Sequence, residues 1–172
     1  MSSIFNISPS KVLINGINEP CTKICYLKEN KSNISLIFSE DINSCFKMFD
    51  SMKNVIEIDL SNFNFSKVTN LAFMFNVCSN LKKISFGNIK ISNIYNIDSL
   101  FKFCSNLTSI DLSNFDTSEV SAMSSMFAGC SNLQYINLSN FNNSQVTTMS
   151  YMFANCLSLQ YLNLSNFNTS HL

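Results

Sequence analysis

The chain repeats itself every 26 residues, and that period limits the folds open to it more than any other feature does. Blocks beginning at Val55, Leu81, Leu107, Leu133 and Leu159 align without an insertion or deletion. Each reads L-x-x-I-x-L-x-N-F-x-x-S-x-V-x-x-M-x-x-M-F-x-x-C-S-N, most clearly in the copy containing Leu107, Ile110, Leu112, Asn114, Phe115, Ser118, Val120, Met123, Met126, Phe127 and Cys130. A unit of this length cannot bury its own apolar side. The units must stack, and every column of the alignment becomes a ladder through the molecule.

Within a block the apolar spacing changes character. "LTSIDLSNF" alternates at Ile110 and Leu112, which predicts a short strand with one buried face. "DTSEVSAMSSMFAGC" places Val120, Met123, Met126, Phe127 and Cys130 at steps of three, three, one and three, the stripe of one helix face, with Asp116 or Ser118 as its cap. The expected fold is therefore α/β, a solenoid of 26-residue strand-turn-helix coils. Residues 1–31 are assigned to a small N-terminal strand cap, drawn from the β-prone runs "KVLI", "CYL" and "ISLIF". Residues 32–172 form the solenoid: a degenerate coil at 32–54, repeats from 55, 81, 107 and 133, and a partial repeat from 159. In the degenerate coil Ile34, Ile42, Met48 and Phe49 each fall 26 residues before Leu60, Val68, Met74 and Phe75. The C-terminal "YLNLSNFNTSHL" stops half-way through a block, so that end is expected to be uncapped, either as a fragment or as an end covered by another chain.

Two polar columns are invariant: Asn62, Asn88, Asn114, Asn140, Asn166, and Ser66, Ser92, Ser118, Ser144, Ser170. An Asn at the end of a strand turns the chain, and its amide can bond backbone groups of the neighbouring coil that stacking would otherwise bury unpaired. Catalysis would not need five copies of either residue.

Several function classes are excluded. Only 13% of residues are charged and they balance to zero; all eleven basic residues are lysines, so neither field nor guanidinium fork favours nucleic acid. The single histidine, His171, stands next to last, which removes catalytic designs built on an internal imidazole. Gly16, Gly87 and Gly129 do not cluster into a phosphate loop, and no cofactor is expected. No run approaches the ~20 apolar residues of a membrane span, and the N-terminus lacks the pattern of a secretory signal.

Cys78, Cys104, Cys130 and Cys156 recur at the repeat period on the apolar stripe, where a free cysteine packs as a small hydrophobe. Helices about 8–10 Å apart would hold column neighbours beyond the roughly 7 Å Cα limit for a disulfide. A line of single cysteines also offers no zinc tetrahedron, so no metal site is expected. Packing is the leading reading; occasional disulfides, then metal or catalysis, are the alternatives. Cys21 and Cys25, spaced C-x-x-x-C, are a weak metal or disulfide hint, and seven cysteines, an odd number, suit a reducing compartment.

The outward strand positions are the candidate binding face, because they vary from copy to copy where the inner columns do not. One column is Glu57, Lys83, Ser109, Tyr135 and Tyr161; the next is Asp59, Ser85, Asp111, Asn137 and Asn163. Stacking at about 4.8 Å makes them a continuous surface for a protein or glycan partner. Tyr135 and Tyr161 are either its anchors or simply a cross-strand pair.

"LTSIDLSNFDTSEVSAMSSMFAGCSNL" closely resembles the repeat of the BspA-like leucine-rich repeat surface proteins, over about residues 40–172. The resemblance implies a leucine-rich-repeat-like solenoid without catalytic activity, acting in cell-surface attachment or protein binding. The chain departs from that family in lacking a signal peptide, a lipid-attachment cysteine and a wall anchor. The alternative function is a structural or intracellular scaffold segment of a longer array, with no ligand of its own.

Overall fold

The computed structural model describes residues 10–19, 33–87 and 90–168. In chain order its strands are β1 (Lys11–Ile14), β2 (Ile17–Glu19), β3 (Ile34–Ile37), β4 (Glu57–Asp59), β5 (Lys83–Ser85), β6 (Ser109–Ile110) and β7 (Tyr135–Ile136). The first three form an antiparallel sheet in the order β2-β1-β3. Asn15 and Gly16, at φ 51° and 81°, make the tight link between β1 and β2, with both residues in the left-handed region that such a hairpin demands. Strands β1 and β3 lie on "KVLI" and "ISLI", whereas "CYL", Cys21 and Cys25 fall outside the described residues. Leu36 of β3 and Phe38 just after it pack on the core, Phe38 meeting Phe63 edge-on at 6.0 Å.

The repeats stack in register. β4 pairs in parallel with β5 (Glu57↔Lys83, Ile58↔Ile84, Asp59↔Ser85), and β6 with β7 (Ser109↔Tyr135, Ile110↔Ile136). Single parallel bridges join Tyr135 to Tyr161 and run Ser44, Asn70, Asn96, Ala122, Thr148 along the other side of the stack. These successive partners are one 26-residue period apart, so their columns of the alignment are physical ladders; one further bridge, Ile91 to Phe115, is offset by two residues.

The strand half of each coil is there, but the helical half is not, and the α/β strand-turn-helix solenoid expected from the sequence is incorrect. There is no helix among the described residues. The segment expected to be helical is a run of tight turns whose backbone groups bond across coils. Leu71, Phe73, Phe75 and Val77 donate their N–H groups to the carbonyls of Asn96, Asp98, Leu100 and Lys102 in the next coil, at 2.7–3.0 Å. The alternate residues Met74, Asn76 and Cys78 instead donate three residues back, to Leu71, Phe73 and Phe75. The same arrangement recurs from Ile97 to Phe103 and from Met123 to Gly129.

Two residues per coil hold this path by taking positive φ: Phe73 and Val77, Ser99 and Phe103, Ser125 and Gly129, Tyr151 and Asn155. Left-handed backbone costs a non-glycine residue roughly 1–2 kcal/mol. Four cross-coil hydrogen bonds per turn segment, at about 0.5–1.5 kcal/mol net each, offset it. A helix is the weaker competitor here, because a segment of this length rich in Ser, Thr, Asn and Phe is a poor helix former and short helices are marginal without help. Turns also keep the two sides of each coil at matching spacing, which a strand side at about 4.8 Å and helices at about 8–10 Å cannot do.

The close spacing is visible in the core. Phe49, Phe75, Phe101, Phe127 and Phe153 form a continuous stack, with ring centroids 5.5–5.7 Å apart and planes within 12° of parallel. Around it lie fully buried columns such as Val68, Ile94, Val120 and Val146, or Leu81, Leu107 and Leu133. Three polar residues, Ser99, Thr117 and Asn143, are buried with them, and the last two bond across coils. Thr117 donates to the Asn142 carbonyl and accepts from its N–H, while Asn143 makes the same exchange with Asn168 one coil later.

Candidate partner-binding face

The strand half presents the candidate face, and its two columns turn out to be chemically different. Glu57, Lys83, Ser109, Tyr135 and Tyr161 are all exposed, with Tyr135 at 52% and Tyr161 at 59% of full accessibility. Glu57 sits opposite Lys83, and Ser109, Tyr135 and Tyr161 follow one another in register. The face thus runs from two residues of opposite charge in register at β4–β5 to two neighbouring tyrosines at the other end.

The second column serves the backbone. Asp59, Asp111, Asn137 and Asn163 each accept, through Oδ1, the N–H two residues on, at Ser61, Ser113, Ser139 and Ser165, at 2.9–3.0 Å. Ser85 does the same for Gly87 through Oγ at 3.3 Å. These are side-chain-mediated turns that end each strand. The bond to Ser61 holds the Asp59 carboxyl below its ordinary value, and that to Ser113 does the same for Asp111. Variation among Asp, Asn and Ser in this column therefore follows from one structural task that all three perform.

A second turn of the same kind, from Asn64, Asp116 and Asn142 to the N–H of Ser66, Ser118 and Ser144, accounts for part of the invariant serine column. Asp116, expected to cap a helix, caps this turn. The Ser118 hydroxyl and N–H, with Lys90 at 3.1 Å, hold the Asp116 carboxyl down to about 2. The invariant asparagines do what the sequence suggests: Asn114, Asn140 and Asn166 donate Nδ2 to the carbonyls of Gly87, Ser113 and Ser139 in the preceding coil. Asn88 and Ser170 lie outside the described residues.

The cysteine column is interior. Cys78, Cys104, Cys130 and Cys156 are free, and each thiol donates to the carbonyl of the preceding coil's stacked phenylalanine: Phe49, Phe75, Phe101 and Phe127, at 3.0–3.2 Å. Burial pushes Cys78 and Cys130 up to about 12 and Cys104 well above its ordinary value, so the thiolate a nucleophile or metal ligand needs is suppressed. Cys156, half-buried, is raised for the same reason. The argument that helical spacing keeps these cysteines apart fails with the helices. What disfavours the thiolate at these positions is burial, and the thiol–carbonyl bond engages the sulfur. Among the described residues no cluster of His, Cys, Asp or Glu is arranged to hold a metal.

The sequence reading missed a second exposed set on the turn side. Lys47 Nζ lies 5.4 and 5.6 Å from the ring centres of Phe46 and Phe73, and Lys102 Nζ lies 5.5 Å from that of Phe103. Phe103, half exposed, covers Gly129 so closely that a Cβ there would come within 2.3 Å of its ring. Tyr151 is 75% exposed. The signal was available: the columns Lys47, Phe73, Ser99, Ser125, Tyr151 and Ser51, Val77, Phe103, Gly129, Asn155 vary from copy to copy as the strand column does. The helical assignment, built on the apolar stripe, gave these columns no role.

No helix of the described residues is long and apolar enough to cross a membrane. Neither a curated protein nor a solved structure matches the chain. A family of repeat-containing sequences does, over residues 26–109 and again over 43–167, the two registers overlapping as a periodic sequence requires. The chain belongs to that family, described as Mycoplasma protein of unknown function, DUF285.

Proposed function

We propose that this protein is a non-catalytic repeat protein whose outward strand column binds a protein or glycan partner, acting at the cell surface in the manner of the BspA-like surface repeat proteins. The observation that carries the reading is the contrast between columns. The interior positions are nearly constant, whereas Glu57, Lys83, Ser109, Tyr135 and Tyr161 vary freely on an exposed, in-register surface. Packing and turn formation explain the constant columns, and the neighbouring Asp59 column is explained by its turns. Neither explains two half-exposed tyrosines side by side, and exposed tyrosine is a common interface anchor. A non-catalytic role is supported by the cysteines, whose thiols are protonated and hydrogen-bonded in the core.

The test is capture on printed arrays of purified glycans and extracellular proteins, comparing the native chain with Tyr135→Ala/Tyr161→Ala. Loss of a specific capture with unchanged far-UV circular dichroism supports the face. A capture unaffected by the double substitution removes it and favours the competing reading, a scaffold segment whose surface columns serve only its own turns.

A further inference from the structure

We infer that the tyrosine end of this face binds an uncharged, extended β-1,4-linked glycan chain laid along the stack, with one sugar ring over each coil. This deepens the partner-binding reading and rests on it. Four observations support it. First, no Asp, Glu, Lys or Arg occurs after Glu119, so the half of the stack that carries Tyr135 and Tyr161 has no fixed charge to attract or to match an ionic partner. The ionic groups of the face, Glu57 and Lys83, belong to the opposite end.

Second, the patch is a narrow ribbon. β7 is two residues long and a side-chain-made turn follows it, as one follows Tyr161, so each coil presents little more than one tyrosine flanked by a glutamine and an asparagine. The two rings, at 52% and 59% exposure, offer on the order of 100 Å² each. With the flanking amides the patch reaches roughly 300–400 Å², half or less of the ~800 Å² that a stable protein interface takes from each partner. A chain-like ligand fits that shape; a globular protein does not.

Third, the patch has unused hydrogen-bonding capacity of the kind sugar hydroxyls require. Asn137 and Asn163 commit Oδ1 to their turns, but among the described residues their Nδ2 groups and the side chains of the exposed Gln134 and Gln160 make no hydrogen bond. Apolar ring faces beside uncommitted amides provide the mixed surface that a pyranose, apolar across its C–H face and polar at its rim, complements. Fourth, the tyrosines recur at the coil spacing of about 4.8 Å. That is close to the length of one sugar unit in an extended chain, so successive rings can meet successive coils.

Binding is read by isothermal titration calorimetry, a signal that does not depend on the tyrosines the variants remove. The full chain is titrated with cello- and chito-oligosaccharides of two to six units. The expected result is saturable binding that strengthens from two to about four units, is unchanged in 1 M NaCl, survives Tyr135→Phe/Tyr161→Phe, and weakens at least tenfold in Tyr135→Ala/Tyr161→Ala. No saturable response to either series, or a response that salt abolishes or that the alanine variant retains, overturns the proposal. The array comparison separates the two levels. A protein captured through the same tyrosines leaves the face standing without the glycan, and capture indifferent to them removes both.

Discussion

Replacing Phe101 by alanine tests the turn-for-helix architecture where its consequences are largest. Phe101 is fully buried and lies between Phe75 and Phe127, with centroids at 5.5 and 5.6 Å and interplanar angles of 3° and 12°. Truncating a buried Phe to Ala costs about 3–5 kcal/mol. Here the upper end applies, because both ring faces lose a partner and each aromatic pair adds about 0.5–1.5 kcal/mol beyond burial. Phe153, half-buried and stacked on Phe127 alone at 5.7 Å, should cost about 2 kcal/mol by the same reasoning. Urea denaturation followed by far-UV circular dichroism should rank Phe101→Ala as the more damaging by about 3 kcal/mol, a large share of the roughly 5–15 kcal/mol that stabilises a domain. A double-mutant cycle of Phe101→Leu with Phe127→Leu isolates the stack, with an expected coupling of about 0.5–1.5 kcal/mol. Strict additivity, within about 0.3 kcal/mol, would mean that the rings do not touch, as they would not on helices about 8–10 Å apart, and would refute the tight-turn ladder.

Three further outcomes follow from the same geometry. Thiol labelling at pH 8, mapped by peptide mass spectrometry, should modify Cys156 before the other cysteines of its column and leave Cys104 and Cys130 untouched until unfolding; rapid modification of both would contradict their burial. Gly129→Ala should destabilise by about 1–2 kcal/mol, more than its φ of 77° alone requires, since the added Cβ meets the Phe103 ring. Phe103→Ala in the same chain should recover part of that loss, and no recovery would show the ring to be irrelevant. Asp116 is held down to about 2, below the ~3.9 of an unfolded Asp, so the unfolded chain takes up the proton first. Its stabilisation is present above about pH 4 and lost as pH falls through about 2. The group is partly exposed, so screening limits the effect to under about 1 kcal/mol. Asp116→Asn, which keeps the turn acceptor as Asn64 and Asn142 do, should flatten this part of the acid-stability curve while changing stability at pH 7 little; an unchanged acid slope would refute the assignment.

The repeat register was fully legible because it depends only on periodicity. An alignment without gaps forces in-register stacking, and the bridges from Ser44 to Thr148 follow it column by column. The helix was misread because burial patterns report which side chains face inward and are silent about where the backbone bonds go. A run of turns with one left-handed residue in every four buries Leu71, Met74, Phe75 and Cys78, and over eight residues a period of four cannot be told from 3.6. The usual warning of left-handed backbone is glycine, but Gly129 is the one glycine among the ten positions of the Lys47 and Ser51 columns. The cross-coil bonds make the conformation affordable to Phe, Val, Ser and Tyr, so propensity carries no trace of it. What the sequence does carry is poor helix propensity in a segment that cannot be helical without help. The same conflict bears on the surface: positions to which the helical reading gave no role are the outward corners of turns, where Phe103 and Tyr151 stand exposed and Phe73 is half-buried. Sequence variability, which singled out the tyrosine column on the strand side, marks these positions too: Phe103 and Tyr151 stand in columns that change from copy to copy.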